Sequence, residues 1–168
     1  VGGFDGAVGD GLLTVALQNP PCVIQPEPDS VIETEPCGSD LNGGCAGEPQ
    51  AFQDLACLPS QTIYGTAFAA DGLRDTDWYR IVLPVASTIT WGGRAEFPAV
   101  FSIRTGPFCQ GDELARAVTR SPCEGPVTCS IRVPAGTYHL VVVPADYWSG
   151  ATCEELSEYL ATLQVSCE

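Results

Sequence analysis

Two short stretches of the chain gather the oxygen ligands that a hard cation takes. Asp40-x-Asn42-Gly43-Gly44 is a fragment of an oxygen-rich calcium loop, and Asp71, Asp75 and Asp77 form a second acidic group. Calcium is held by about six to eight oxygens from carboxylates, amides and carbonyls, so these residue types suit it. Neither stretch completes the spacing of an EF-hand. The bland alternative is a solvated turn, with Asp75 and Asp77 accepting free N–H groups where the chain enters a strand. Asp40, Asn42, Asp75 and Asp77 are therefore the candidate calcium ligands, and no other cofactor is expected.

Catalytic chemistry is short of parts. The sequence has one histidine, His139, and no lysine, which removes Schiff-base and lysine-base mechanisms. There is no G-x-S-x-G elbow to pair a serine with that histidine. Adjacent carboxylates such as Glu154 and Glu155 are unavoidable among 21 acids and carry no glycosidase signal. The chain reads as non-catalytic.

Nine cysteines in 168 residues, with no C-x-x-C pair for a metal, point to disulfides and an oxidising compartment. An odd count leaves connectivity open. Cys153 with Cys167 would tie the last strand to the loop before it, and Cys109 with Cys123 would close a hairpin-like excursion. Cys37 and Cys45 bracket a tight loop, CGSDLNGGC. Cys22 is the candidate leftover thiol, available for a bond between molecules.

The formal net charge is −14, with seven arginines as the only bases. Such a chain cannot neutralise a phosphate backbone, so nucleic acid and anionic membrane surfaces are disfavoured as partners. All seven arginines fall between residues 74 and 132, leaving both ends acidic. Apolar runs such as Leu140 to Val143 are far shorter than the roughly 20 residues a membrane helix needs. With Val1 first and no charged, apolar leader, the chain reads as a mature exported protein, secreted and extracellular or on a cell surface.

Residues 1–21 read as an arm. A Gly-rich lead precedes LLTVALQ, in which Leu13, Val15 and Leu17 alternate with polar or small residues as in a half-buried strand, before Pro20-Pro21. Residues 22–50 read as an acidic, Pro-rich linker and cysteine loop, and 51–168 as the main domain. There, strands are predicted at 62–68, 77–83, 88–91, 99–104, 114–119, 127–133, 138–143 and 159–165. Residues 154–160 could alternatively form a helical turn. Eight short strands with Gly and Pro punctuation specify an all-β, antiparallel, disulfide-stapled sandwich of jelly-roll or Greek-key type. In the strand at 77–83, Tyr79, Ile81 and Leu83 should pack inward, leaving Trp78 outside or at a rim.

Three segments, GLRDTDWYRIVLP (72–84), PAGTYHLVVVP (134–144) and EYLATLQV (158–165), resemble the bacterial pre-peptidase C-terminal domain family. The resemblance covers roughly residues 60–167. It implies a bacterial β-sandwich appendage, related to collagen-binding modules, that carries no catalysis of its own. The high cysteine content and residues 1–50 depart from that pattern.

Two functions follow from these features. The first is a structural subunit of an extracellular filament, assembled head to tail as Leu12, Leu13, Val15 and Leu17 of one copy fill a sheet edge of the next. The alternative is a secreted module that binds a glycan or matrix protein through exposed aromatics, with Trp78, Trp91, Tyr147 and Trp148 as the platform. Deleting residues 1–18 separates them. A strand-donation polymer is expected to fall into monomers by negative-stain microscopy, whereas a binding module is expected to look the same with and without the arm.

Overall fold

In a computed structural model, the described residues are 22–39, 41–45, 49–106, 111–147, 151–153 and 155–167. Twelve strands are present: β1 (Val31–Ile32), β2 (Gln53–Leu55), β3 (Ser60–Thr66), β4 (Ala69–Ala70), β5 (Leu73–Arg74), β6 (Asp77–Leu83), β7 (Ser87–Ala95), β8 (Ala99–Thr105), β9 (Glu113–Val118), β10 (Val127–Val133), β11 (Gly136–Pro144) and β12 (Glu158–Cys167). They form two five-stranded sheets, ordered β1-β3-β12-β7-β10 and β2-β6-β11-β8-β9, with β4 and β5 as a separate hairpin. From β6 onward the chain changes sheet at every connection except the β8–β9 hairpin, which is the wiring of a sandwich.

The all-β sandwich and its eight main strands are as the sequence predicts, and no helix occurs among the described residues. Pairing is antiparallel throughout the interior. At two edges it is not, because β1 runs parallel to β3 and β2 runs parallel to β6. Both added strands come from the segment before residue 60, and their short lengths disguise them in the sequence. The stretch that reads as a linker is laid against the sandwich: Ile24 is buried, and its N–H donates to Glu96 at 2.8 Å.

The core follows the two-residue period of each strand. Tyr79, Ile81 and Leu83 of β6 point inward, as expected, and meet Ile103 of β8, Leu140 of β11 and Leu163 of β12 in one cluster. Trp91 sits at its centre, fully buried, with its Nε1–H donating to the Val141 carbonyl at 3.2 Å and its ring edge-on to Phe101. This removes it from the exposed aromatic platform expected of it. Gly92 and Gly93 lie in mid-strand, where a Cβ would stand 2.0 Å from the Val127 carbonyl oxygen and 2.2 Å from that of Leu160. They let β10 and β12 close on β7 and do not mark a turn. Burying each large apolar side chain contributes roughly 1.5 to 3 kcal/mol, so this cluster is the main source of stability.

The disulfides also differ from those expected. Cys22 is joined to Cys123 and Cys37 to Cys153, and Cys45 is disulfide-bonded as well. Cys22 is therefore not an intermolecular thiol, and the pairs Cys109–Cys123 and Cys153–Cys167 do not form. Local spacing suggested short loops, whereas the sandwich brings the pre-sheet segment beside the 121–124 and 151–153 turns. Cys109 lies outside the described residues. Cys129 is a buried thiol, and burial pushes it up to about 11, so it is inert.

The bridges span 101 and 116 residues, and loops of that size stabilise by roughly 4 to 5 kcal/mol in the chain-entropy account. Peptide mapping without reductant is expected to recover both linkages. The Cys37→Ser/Cys153→Ser double variant is expected to lose about 2 to 5 kcal/mol in a denaturant melt.

Candidate functional site

The segment after β1 reads Val31-Ile32-Glu33-Thr34-Glu35, and its extended backbone sends Glu33 and Glu35 to the same side. That side faces the interior, so both carboxylates are buried. Across from them β6 begins with Asp77, fully buried, two residues after the buried Asp75. Ligand oxygens of Glu33, Glu35 and Asp77 lie within 4.8 Å of one another. Asn42 completes the group. Its Nδ2 donates to Glu33 at 2.8 Å, its backbone N–H donates to Glu35 at 2.8 Å, and the Leu41 N–H donates to the same Glu35 oxygen.

Hydrogen bonds use up only part of this acceptor set. Glu33 also accepts from the Thr66 N–H at 2.8 Å, yet neither oxygen of Asp77, nor Oδ1 of Asn42, meets an N–H or hydroxyl donor. Buried acceptors without partners cost about 1 to 3 kcal/mol each, more when charged. Burial, then the charge of Glu33 and a carboxyl–carboxylate hydrogen bond with it, and then the charges of Asp75 and Glu35, push the Asp77 carboxyl well above its ordinary range. The group has the donor set of a divalent-cation site: hard oxygens, excess negative charge and open lone pairs.

Of the expected calcium ligands, the fold brings Asn42, Asp75 and Asp77 into this one region. Asp40 lies outside the described residues. Asp71 is elsewhere, since it and Gly72 form the two-residue turn of the β4–β5 hairpin, both with positive φ. Asp77 does not accept turn N–H groups, because the register of β6 turns it inward beside Tyr79. Sequence reasoning missed Glu33 and Glu35, although acids at alternate positions after Val31-Ile32 carried the signal of a shared face.

On the opposite face of the same strand, side chains form rows across four strands. Trp78 pairs with Val141, Val141 with Ser102 and Ser102 with Arg116. The neighbouring row runs Arg80, His139, Arg104, Glu113. The first row, with Arg104 and Glu113 of the second and with Arg74 and Val100, lines a groove of about 330 Å³. Its floor is apolar, with Val100 and Val141 buried, while Trp78 is half-buried at its side. Tyr147, 48% exposed, borders it through Arg74, whose guanidinium lies 4.4 Å from the Tyr147 ring centre. Trp148 lies outside the described residues, as do Leu12, Leu13, Val15 and Leu17.

The cation group and the groove share one loop. The Asn42 carbonyl accepts the Trp78 N–H at 3.2 Å, and the Gly43 carbonyl accepts the Thr76 hydroxyl at 3.3 Å. Gly44 lies so close behind the indole that a Cβ there would stand 2.3 Å from the Trp78 ring, and its φ of +55° favours glycine. His139 sits beneath, stacked on Phe52 at 4.5 Å and edge-on to Trp78. Both its ring nitrogens are buried, and burial, more than the neighbouring Arg80 and Arg104 charges, lowers its basicity. Enclosed in this way, it cannot serve a substrate as general base.

No protein-family model matches the chain, and no curated protein matches it. Among solved structures, similar ones include PliG from Aeromonas hydrophila, a periplasmic inhibitor of g-type lysozyme, at 17% identity over 68% of this chain and 97% of that one, with a TM-score of 0.48. The pre-peptidase C-terminal domain of Bacillus anthracis collagenase is 17% identical over 70% and 97%, with a TM-score of 0.46. The Salmonella Typhimurium PliG is 15% identical over 68% and 98%, with a TM-score of 0.43. The similar structures thus include both inhibitors and a collagenase domain, and no single family is established.

The raised Asp77 carboxyl gives a signed pH effect. Its protonated form is the one the metal-free fold favours, so its contribution is fully present below the unfolded value of 3.8 and is lost as pH rises through the folded value. Measured in chelator, the stability of the wild type relative to Asp77→Asn is expected to be highest below about pH 4 and to fall steadily as pH is raised.

Proposed function

We propose that this protein is a secreted, non-catalytic binding module, clamped by calcium, that uses the groove beside Trp78 to hold an extracellular glycan or matrix protein. One observation carries the reading: the 41–44 loop is held from below by Glu33 and Glu35 and supports the Trp78 indole from behind. A cation bound by the carboxylates would therefore fix the wall of the groove. Calcium suits the group better than a softer metal, because every donor is a carboxylate or amide oxygen. The disulfides support an oxidising, extracellular setting.

Assembly by strand donation is the weaker reading. It rests on residues outside the described ones, and Cys22, its intended covalent link, is joined to Cys123 within the chain.

Two measurements test the module. After chelation, calcium at 100-fold excess over Kd is expected to stabilise by about 2.7 kcal/mol, raising Tm by roughly 5 to 10 °C, and Asp77→Asn should abolish the shift. On arrays of glycans and matrix proteins, hits are expected that Trp78→Ala removes while its far-UV circular dichroism shows the sandwich still folded, at a modestly lower Tm. Arrays with no Trp78-dependent hit would refute the reading.

A further inference from the structure

The groove holds an unusual share of the positive charge of an acidic chain. Three of the seven arginines, Arg74, Arg104 and Arg116, line it, against one carboxylate, Glu113. Arg104 is partly engaged, donating to the Gly111 carbonyl at 3.0 Å and lying 3.7 Å from Glu113. Arg116 is exposed and has no carboxylate partner among the described residues. Arg74 donates through Nη1 to the Pro144 carbonyl at 3.3 Å, while its Nε is buried without an acceptor. Guanidinium donors left open beside an apolar floor are the complement of a ligand bearing carboxylates.

The net charge of −14 would repel such a ligand at long range. At physiological ionic strength that repulsion is screened beyond about 8 Å, so local arginines decide the outcome once the ligand is seated.

The backbone narrows the class further. The groove lies over the face of the sheet, where the Trp78, Val141, Ser102 and Arg116 strands are paired with one another. A peptide laid across this face would find the main chain of β6, β11 and β8 already paired on both sides, and strand addition would need the outer edge of β9 and not the face. A sugar chain needs none. Its apolar C–H faces suit the indole and the valine floor, and its own carboxylates reach the guanidinium groups.

Resting on the binding-module reading, we infer that the groove selects an acidic oligosaccharide of the uronic-acid class, with Trp78 as the stacking wall and Arg74, Arg104 and Arg116 as the carboxylate donors. The full chain, with calcium fixed in excess, is titrated by calorimetry with a galacturonic-acid tetrasaccharide, its carboxyl-reduced neutral counterpart and a tetraglutamate peptide. The uronate is expected to bind, and the neutral sugar to bind at least about tenfold more weakly. Arg116→Ala should weaken the uronate about five- to twentyfold and Arg116→Glu should abolish its binding, both at unchanged Tm. Equal binding of the neutral sugar, or indifference to both Arg116 variants, would overturn the inference, and tighter binding of the peptide would overturn the choice of a glycan. No binding of any of the three would also overturn it, and a Trp78-dependent hit of another class on the arrays would then leave the module reading standing.

Discussion

The fold depends on how it accommodates carboxylates that it places side by side in its interior. Glu33, Glu35 and Asp77 come from the edge of one sheet and the first residue of a strand in the other, and they converge within 4.8 Å. At that separation and an effective dielectric of about 20, each ionised pair costs roughly 3 kcal/mol. A protein whose net stability is about 5 to 15 kcal/mol cannot hold several such pairs unless protons or a cation offset them. Closure of the two sheets at this edge therefore depends on how these charges are offset.

Strand β6 joins that constraint to the outer surface. Alternation along it sends Asp77 inward and Trp78 outward, so neighbouring residues serve opposite faces of one sheet. The 41–44 loop touches both, through Glu33 and Glu35 on one side and the indole on the other. The proposed binding face and the buried carboxylates are thus carried by adjacent residues of one strand.

Much of the sandwich was legible from periodicity and punctuation, because strands such as β6 alternate between buried and more exposed residues while β8 and β11 are continuous apolar runs, and turns set them off. The inward face of β6 and the outward Trp78 followed from the same pattern. The failures share a cause. Disulfide pairing, the parallel edge strands and the partners of Asp77 are contacts between segments far apart in sequence, and local spacing contains no record of them. Trp91 was misplaced because Gly92-Gly93 has the composition of a turn, whereas here it answers to close approach by two neighbouring strands. Glu33 and Glu35 were hidden among other acids, although their alternation could have been read as a common face. The groove had only a faint trace in the sequence, the confinement of all seven arginines to residues 74–132.

The two long disulfides enclose overlapping stretches of chain, 22 to 123 and 37 to 153. Every peptide bond between residues 37 and 123 therefore lies inside both loops. A protease that cuts any exposed turn in that span severs the backbone but releases no fragment, because either bridge still ties the pieces together. Extracellular fluids are rich in such enzymes, so this topology lets a nicked molecule stay in one piece and keep its strands in register.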